Sequence, residues 1–387
     1  MRKEKILQVH NYYQIPGGED TVVANEKKLL EDHDHEVVQY SRNNSEMKTF
    51  SMVRKLLLPF TTIFNPRTYK EVKSIIKKQD IDIVHVHNTL NLISPAVYYA
   101  ALSCKVPVVQ TVHNFRLLCP GATFYRDGHI CEDCMEHGLG CAVKHNCYRE
   151  SKVQTLACVI NTWIHRMTGI YNKINYLCLT EFTRQKMIQV YPKAKNYIKP
   201  NFVYDEGGNA EPEDYYLFIG RIEEIKGVQV LIDAFAQMPD INLKMAGTGV
   251  LDQAIQNRIE KERLTNIEML GFQAKSDINR LLKHARALIM CSQWYETFGM
   301  VIAEAYSNGT PVIVGNIGNI KDLVVDGKTG ILFEYDSSNA LANAVRCVEN
   351  MDSKQMGEKG YQLFRENLSS EANYEQLRKI YQKVLEK

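Results

Sequence analysis

Two glutamates, Glu296 and Glu304, stand eight residues apart in the stretch WYETFGMVIAEA, on either side of Phe298-Gly299. A carboxylate pair can serve as acid and base on a glycosidic bond, or it can accept hydrogen bonds from hydroxyl groups. Spacing separates the two. Along an unbroken helix, eight residues leave the side chains about 80° apart and about 12 Å along the axis. A retaining hydrolase needs its carboxylates about 5 Å apart, and the wider inverting pair fits poorly as well. The Phe-Gly step predicts a helix start near Phe298, with Glu296 in the loop before it and Glu304 about two turns inside. The first amides of that helix, at Phe298, Gly299, Met300 and Val301, can then seat an anion. The glutamates therefore read as two clamps on one long ligand with hydroxyls at both ends.

Other residues suit the middle of such a ligand. Gly220-Arg221 and Lys226-Gly227 bracket the loop GRIEEIKG. A guanidinium fork and an ammonium point charge on one loop can neutralise a diphosphate. Pro16-Gly17-Gly18 follows an apolar strand and precedes a helix, so the backbone can approach a phosphate closely near a helix N-terminus. There is no GxGxxG run, which disfavours a nicotinamide dinucleotide. Between Cys119 and Cys147, five cysteines (Cys119, Cys131, Cys134, Cys141, Cys147) and three histidines fall within 29 residues. The Cys131-x2-Cys134 spacing predicts a closed structural zinc site. Cys147 is its third ligand and Cys119 or Cys141 its fourth. The competing reading is a loop packed by thiols. No metal is expected in catalysis. Cys104, Cys158, Cys178, Cys291 and Cys347 lie in apolar segments and are expected in the core.

Elements that alternate strand and helix must position these groups. Strands are predicted at Ile6–Val9, Glu36–Tyr40, Ile81–His87, Pro107–His113 and Tyr176–Leu179, with a helix at about Thr21–Asp32. The pattern restarts with strands at Tyr215–Ile219, Leu243–Ala246, Glu268–Leu270, Ala287–Met290 and Pro311–Val314. A polar Gly- and Pro-rich stretch, KPNFVYDEGGNAEPED, reads as the linker between the halves. At 387 residues the chain suits two domains. The expected fold is α/β, two Rossmann-like domains facing across a cleft. Residues 1–203 form the first domain, with a Cys-rich insertion at about 119–147. Residues 204–369 form the second, and 370–387 a C-terminal helix packing back on the first.

A net charge of +2 gives no footprint for nucleic acid. The charge is uneven, however: Met47–Lys78 carries +7 interleaved with apolar residues. One reading is a helix pair with a solvated basic face. The sharper one is a surface resting on anionic lipid, with Lys48, Arg54, Lys55, Leu57 and Phe60 in contact. The N-terminus reads as a strand and not a signal peptide, and no apolar run reaches about 18 residues. A cytoplasmic protein with reduced thiols is expected, peripheral on the inner face of the plasma membrane.

GRIEEIKG, AGTGVL, LGF, ETFGMVIAEA followed by GTPVI, and in the first half IPGGED and TVHNF, resemble the retaining glycosyltransferases of family 4, which have the GT-B fold. The similarity covers nearly the whole chain, and the E-x7-E block with the Arg/Lys loop is its most specific part. The resemblance implies transfer of a sugar from a UDP or GDP donor to an acceptor hydroxyl, with retention at the anomeric carbon. Arg221 and Lys226 would hold the diphosphate, Glu296 the sugar and Glu304 the ribose. Phe272 would lie at the base, the glycine loops, including Gly17-Gly18, at phosphate and sugar, and His113 near the reacting centre as a neutral ligand. No protein base is implied; the donor phosphate takes the acceptor's proton. Thr297 stands where many relatives have proline, and Met300 where leucine is common. A lipid-linked glycan precursor of cell-surface polysaccharide is the expected acceptor. A soluble acceptor, or a non-catalytic two-lobe sugar-binding protein, are the alternatives.

Overall fold

The computed structural model describes residues 3–14, 17–208 and 211–386; Ile15 and Pro16 of the first glycine loop and Asn209 and Ala210 of the linker lie outside them. The chain forms two compact units. One comprises Met1–Phe124, Glu132–Lys199 and Tyr374–Lys387, the other Tyr125–Cys131 and Pro200–Asn373.

Strands are numbered along the chain. In the first unit they are β1 (Lys5–Tyr12), β2 (Glu36–Asn43), β3 (Ile83–Asn88) and β4 (Val108–Thr111). A short hairpin, β5 (Tyr125–Arg126) and β6 (His129–Ile130), groups with the second unit. β7 (Asn175–Cys178) and β8 (Lys195–Ile198) complete the first sheet, whose order is β2-β1-β3-β4-β7-β8. All its pairings are parallel. Helices cover such a sheet on both faces, so its central strands are buried; every residue of β3 and β4 is buried, whereas the edge strands β2 and β8 are largely exposed or half-buried. Alternation along β3 sends Val84 and Val86 to one face and His85 and His87 to the other. The histidines therefore enter a helix-covered interior.

The second unit repeats the architecture with β9 (Tyr216–Ile219), β10 (Leu243–Ala246), β11 (Ile267–Gly271), β12 (Leu288–Met290), β13 (Val312–Gly315) and β14 (Gly330–Phe333). Their order is β11-β10-β9-β12-β13-β14, again parallel. Phe218, Leu231, Phe235, Met245 and Ile289 are among the residues filling its core. The expected strands are present, each within three residues of its predicted limits; β1 and β2 run three residues further than predicted. β8 and β14 were not predicted, being four residues each and without clear alternation.

Three local expectations are corrected. The first helix starts at Gly18, three residues early, because Gly17 serves as its N-cap and Asp20 folds back onto the Gly17 amide at 3.1 Å. The linker begins later than its composition suggests, since Lys199, Asn201 and Phe202 are buried. Cys158, Cys178 and Cys291 are core residues, but Cys347 is exposed and Cys104 only half-buried.

Candidate active site

In the second unit, the loop after β9 carries Arg221 and Lys226. It turns back at Gly227, whose φ is +71° and where a Cβ would lie 1.8 Å from the Cys291 carbonyl oxygen. Only glycine fits there. The Cys291 thiol donates to the carbonyls of Lys226 and Gly227, each at 3.3 Å, fastening this turn to the end of β12. That contact delivers the Lys226 ammonium to Glu296 Oε1 at 2.5 Å, and the same oxygen accepts from Ser292 Oγ at 2.7 Å. Glu296 is buried. Burial alone would raise its carboxyl, but Lys226 and the Ser292 hydroxyl outweigh it and hold the pKa below the ordinary value. The carboxylate is thus charged and fixed, and its backbone carbonyl accepts from Asn319 at 2.6 Å.

The helix after Glu296 spans Met300–Ser307, two residues later than predicted. Gly299 at φ +90° is its N-cap and Phe298 is buried beneath it. Glu304 lies on this helix and pairs with Lys275 at 2.6 Å, a partner the sequence did not suggest. Arg221 is exposed and reaches Glu223 at 2.9 Å. Phe272 is 81% exposed. Lys226, Glu296 and Ser292 are therefore brought together, while Arg221, Glu304 and Phe272 present separate groups at the same sheet edge.

In the first unit, His113 follows β4 and is buried. Its Nε2 lies 2.9 Å from His87 Nδ1. His87 Nε2 and His85 Nδ1 stand 3.2 and 3.0 Å from one oxygen of Glu26, and the other oxygen takes Lys199 Nζ at 2.7 Å. Tyr381 OH and Thr111 Oγ1 bind the two nitrogens of His85 at 2.7 and 2.8 Å. Burial, reinforced by His85, lowers His87 to about 4, and burial with His87 puts His113 well below the usual histidine range. Burial would raise Glu26, but His85, Lys199 and His87 bring it well below the carboxylate range. The network thus joins the Glu26 carboxylate and the Lys199 ammonium to three imidazoles, of which His87 and His113 are disfavoured in their charged form.

Sequence reasoning saw His113 and missed the rest of this network, although the alternating His85-x-His87 in a buried strand was a visible signal. It also missed Glu19. Beside Gly17-Gly18, burial and then Asp20 push the Glu19 carboxyl up to about 8, against the pull of Arg116 and Asn114. Glu19 and Asp20 both stand in the first turn, so the Gly17-Gly18 helix start places two carboxyl groups of its own beside the loop. Among the cysteines, Cys134 is buried, and its thiol is pushed up to about 12 by burial and by neighbouring Cys119, Cys147 and Cys141. Cys131 belongs to the segment that groups with the second unit.

Two units with six-stranded parallel sheets of this kind have the architecture of the GT-B glycosyltransferases. The chain belongs to the family-4 and group-1 glycosyltransferases: the family described as Glycosyltransferase Family 4 matches residues 16–205, and Glycosyl transferases group 1 matches 204–363. It is 26% identical over 98% of both chains to an uncharacterized glycosyltransferase, MJ1178, of Methanocaldococcus jannaschii. It is 22% identical to the alpha-monoglucosyldiacylglycerol synthase of Streptococcus pneumoniae, covering 93% of this chain and 82% of that one. The structure of Anabaena Alr3699/HepE in complex with UDP-glucose shares the fold, with a TM-score of 0.65 at 18% identity over 98% and 99% of the two chains.

Proposed function

We propose that this glycosyltransferase takes a sugar from a UDP- or GDP-linked donor and passes it, with retention, to a hydroxyl of a lipid-linked glycan precursor. The observation that carries the donor reading is the Lys226–Glu296 pair: a fixed cation and a fixed acceptor set side by side at the start of a helix. Lys226 with Arg221 would neutralise the diphosphate as the sugar's anomeric carbon–oxygen bond breaks. Glu296 would accept from sugar hydroxyls, and Glu304 from the ribose. The acceptor oxygen forms the new bond and its proton leaves on the departing diphosphate. The complex of Alr3699/HepE with UDP-glucose supports a nucleotide-sugar donor. In a thermal-shift panel of UDP- and GDP-sugars, a true donor at 100 times its Kd should stabilise the fold by about 2.7 kcal/mol. Silence across the whole panel would contradict the proposal.

The lipid reading rests on two helices of the first unit that pack together, Met52–Ile63 and Lys152–Met167. Met52, Val53, Leu56, Leu57 and Phe60 are all at least half exposed. On the second helix Val153, Leu156, Ile160, Trp163 and Met167 form one exposed stripe at helical spacing, while Thr155, Asn161, Thr162 and His165 are buried. Apolar-out, polar-in is the reverse of a helix facing water. Lys48, Arg54, Lys55, Arg149 and Lys152 lie on or beside these helices, so an anionic bilayer suits both the charge and the exposed rings. No described helix is long and apolar enough to cross a membrane. We read the protein as cytoplasmic, peripheral on the inner face of the membrane, and serving cell-surface polysaccharide synthesis. The relative named alpha-monoglucosyldiacylglycerol synthase supports a lipid acceptor.

We further propose a structural zinc ion bound by Cys131, Cys134 and Cys147 with Cys119 or Cys141 as the fourth ligand; Cys141 and Cys147 pack against the buried Cys134, and Cys119 and Cys147 both flank Gly121. Elemental analysis should find about one zinc per chain; less than about 0.3 with full activity would remove the metal.

A further inference from the structure

Glu26, His85 and His87 bring three possible ligand atoms within 4.8 Å of one another. Lys199 Nζ already stands 2.7 Å from Glu26, however, and supplies the cation that this carboxylate needs. The cluster has another use. We infer that Glu26 and His87 are positioning residues that fix the tautomer of His113, so that His113 presents a bare Nδ1 to a hydroxyl of the substrate.

The argument follows the protons. His87 Nε2 faces the charged Glu26 at 3.2 Å and the amide nitrogen of Gln8 at 3.5 Å. That Gln8 amide donates to the Val23 carbonyl at 3.1 Å, and its oxygen accepts from Gln39 at 2.9 Å. The Gln8 amide nitrogen can only donate and would need a bare Nε2, but it is the longer contact; a bare nitrogen 3.2 Å from a buried carboxylate is repelled, whereas an N–H there is attracted by the charge. The proton of His87 therefore sits on Nε2, leaving Nδ1 as an acceptor. The facing atom, His113 Nε2 at 2.9 Å, must then carry a hydrogen and donate it. Neutral imidazole has one N–H, so Nδ1 of His113 keeps its lone pair. The remaining neighbours do not disturb this order. His85 stacks on His87 at 4.4 Å and is held by Glu26, Tyr381 and Thr111, while His10 meets His87 edge-on at 6.3 Å. His113 and His87 line one cavity with Asn88, Asn114 and Arg116. An acceptor nitrogen there can orient a hydroxyl and cannot donate to an oxygen.

The effect on turnover rests on the reading of His113 as a sugar-facing residue; the tautomer does not. Long-range ¹H–¹⁵N correlation on ¹⁵N-histidine-labelled protein without substrate, at pH 7, reads it directly. His113→Gln assigns the signal by its loss. The expected result is protonated Nε2 and bare Nδ1 on both His87 and His113; a His113 proton on Nδ1 overturns the inference. In His87→Phe, His113 should become a tautomer mixture and kcat should fall by about tenfold or more with little change in KM, since a misplaced proton costs catalysis and not binding. His87→Gln, which can offer an oxygen to His113, should recover part of both. An unchanged His113 signal in His87→Phe would also overturn it. A correct tautomer in a protein that turns over no nucleotide sugar would leave the relay standing and remove the functional reading instead.

Discussion

The Lys226 ammonium lies 2.5 Å from Glu296 Oε1, on a carboxylate that Ser292 also holds at 2.7 Å. The two residues are 70 positions apart in the chain and come from different strand-end loops. Without ligand, each neutralises the other. On the proposed reading, a diphosphate and a sugar arriving together would let Lys226 turn to phosphate while Glu296 turns to hydroxyls, and the pair would serve as a preorganised seat.

Glu296→Gln should lower transfer by about 10² to 10³, the range for losing one preorganised polar contact in a transition state. Nucleoside diphosphate affinity should stay nearly unchanged, because the amide does not touch phosphate. Calorimetry of UDP and GDP binding beside turnover measures both. Retention of most of the turnover would show that the sugar is not held there.

Arg221→Ala should weaken both nucleotide binding and turnover, yet leave unfolding midpoints nearly unmoved. Its side chain is 60% exposed and, among the described residues, pairs with Glu223, a surface pair worth little. Equal nucleotide affinity in the variant would contradict its place at the diphosphate.

Stability should depend on acid in two steps. His87 is lowered from 6.5 to about 4 and His113 is lowered too, so the unfolded chain binds protons that the folded chain refuses. Their contribution is complete above about pH 6.5 and is lost as pH falls toward 4, on the order of 2 to 3 kcal/mol for His87 by pH 4.5. Glu26 and Glu296, held low by their partners, keep their contribution above pH 4.5 and lose it only below that. Urea midpoints from pH 7.5 to 4 should fall in this order. A flat profile down to pH 4.5 would contradict the buried neutral histidines.

Vesicles containing phosphatidylglycerol should bind the protein and shift Trp163 fluorescence to the blue, with the effect reduced by salt. Leu57→Glu combined with Trp163→Glu should abolish sedimentation with vesicles without lowering thermal stability, since both side chains are at least half exposed. Co-sedimentation that survives the double change would move the lipid contact elsewhere.

The sheets were largely legible in the sequence, because buried parallel strands are short apolar runs between turn residues. Glu296, Lys226 and Arg221 were legible as motif residues, but their pairing was not: it depends on the Gly227 turn folding against Cys291, a contact that no spacing rule encodes. The Lys152–Met167 helix shows the opposite difficulty. Its apolar stripe has the spacing of an ordinary buried face, yet in the fold this stripe points outward. Lys199 was hidden in a stretch whose Gly and Pro content suggested a linker, although it is fully buried against Glu26.

Nucleoside diphosphate release tests the central claim most directly. With a matched UDP- or GDP-sugar and a lipid-linked acceptor, the protein should release UDP or GDP in step with a product of unchanged anomeric configuration. Lys226→Ala should lower that release by about 10² or more. Full release by Lys226→Ala, or no release by the native chain with any nucleotide sugar, would contradict the account.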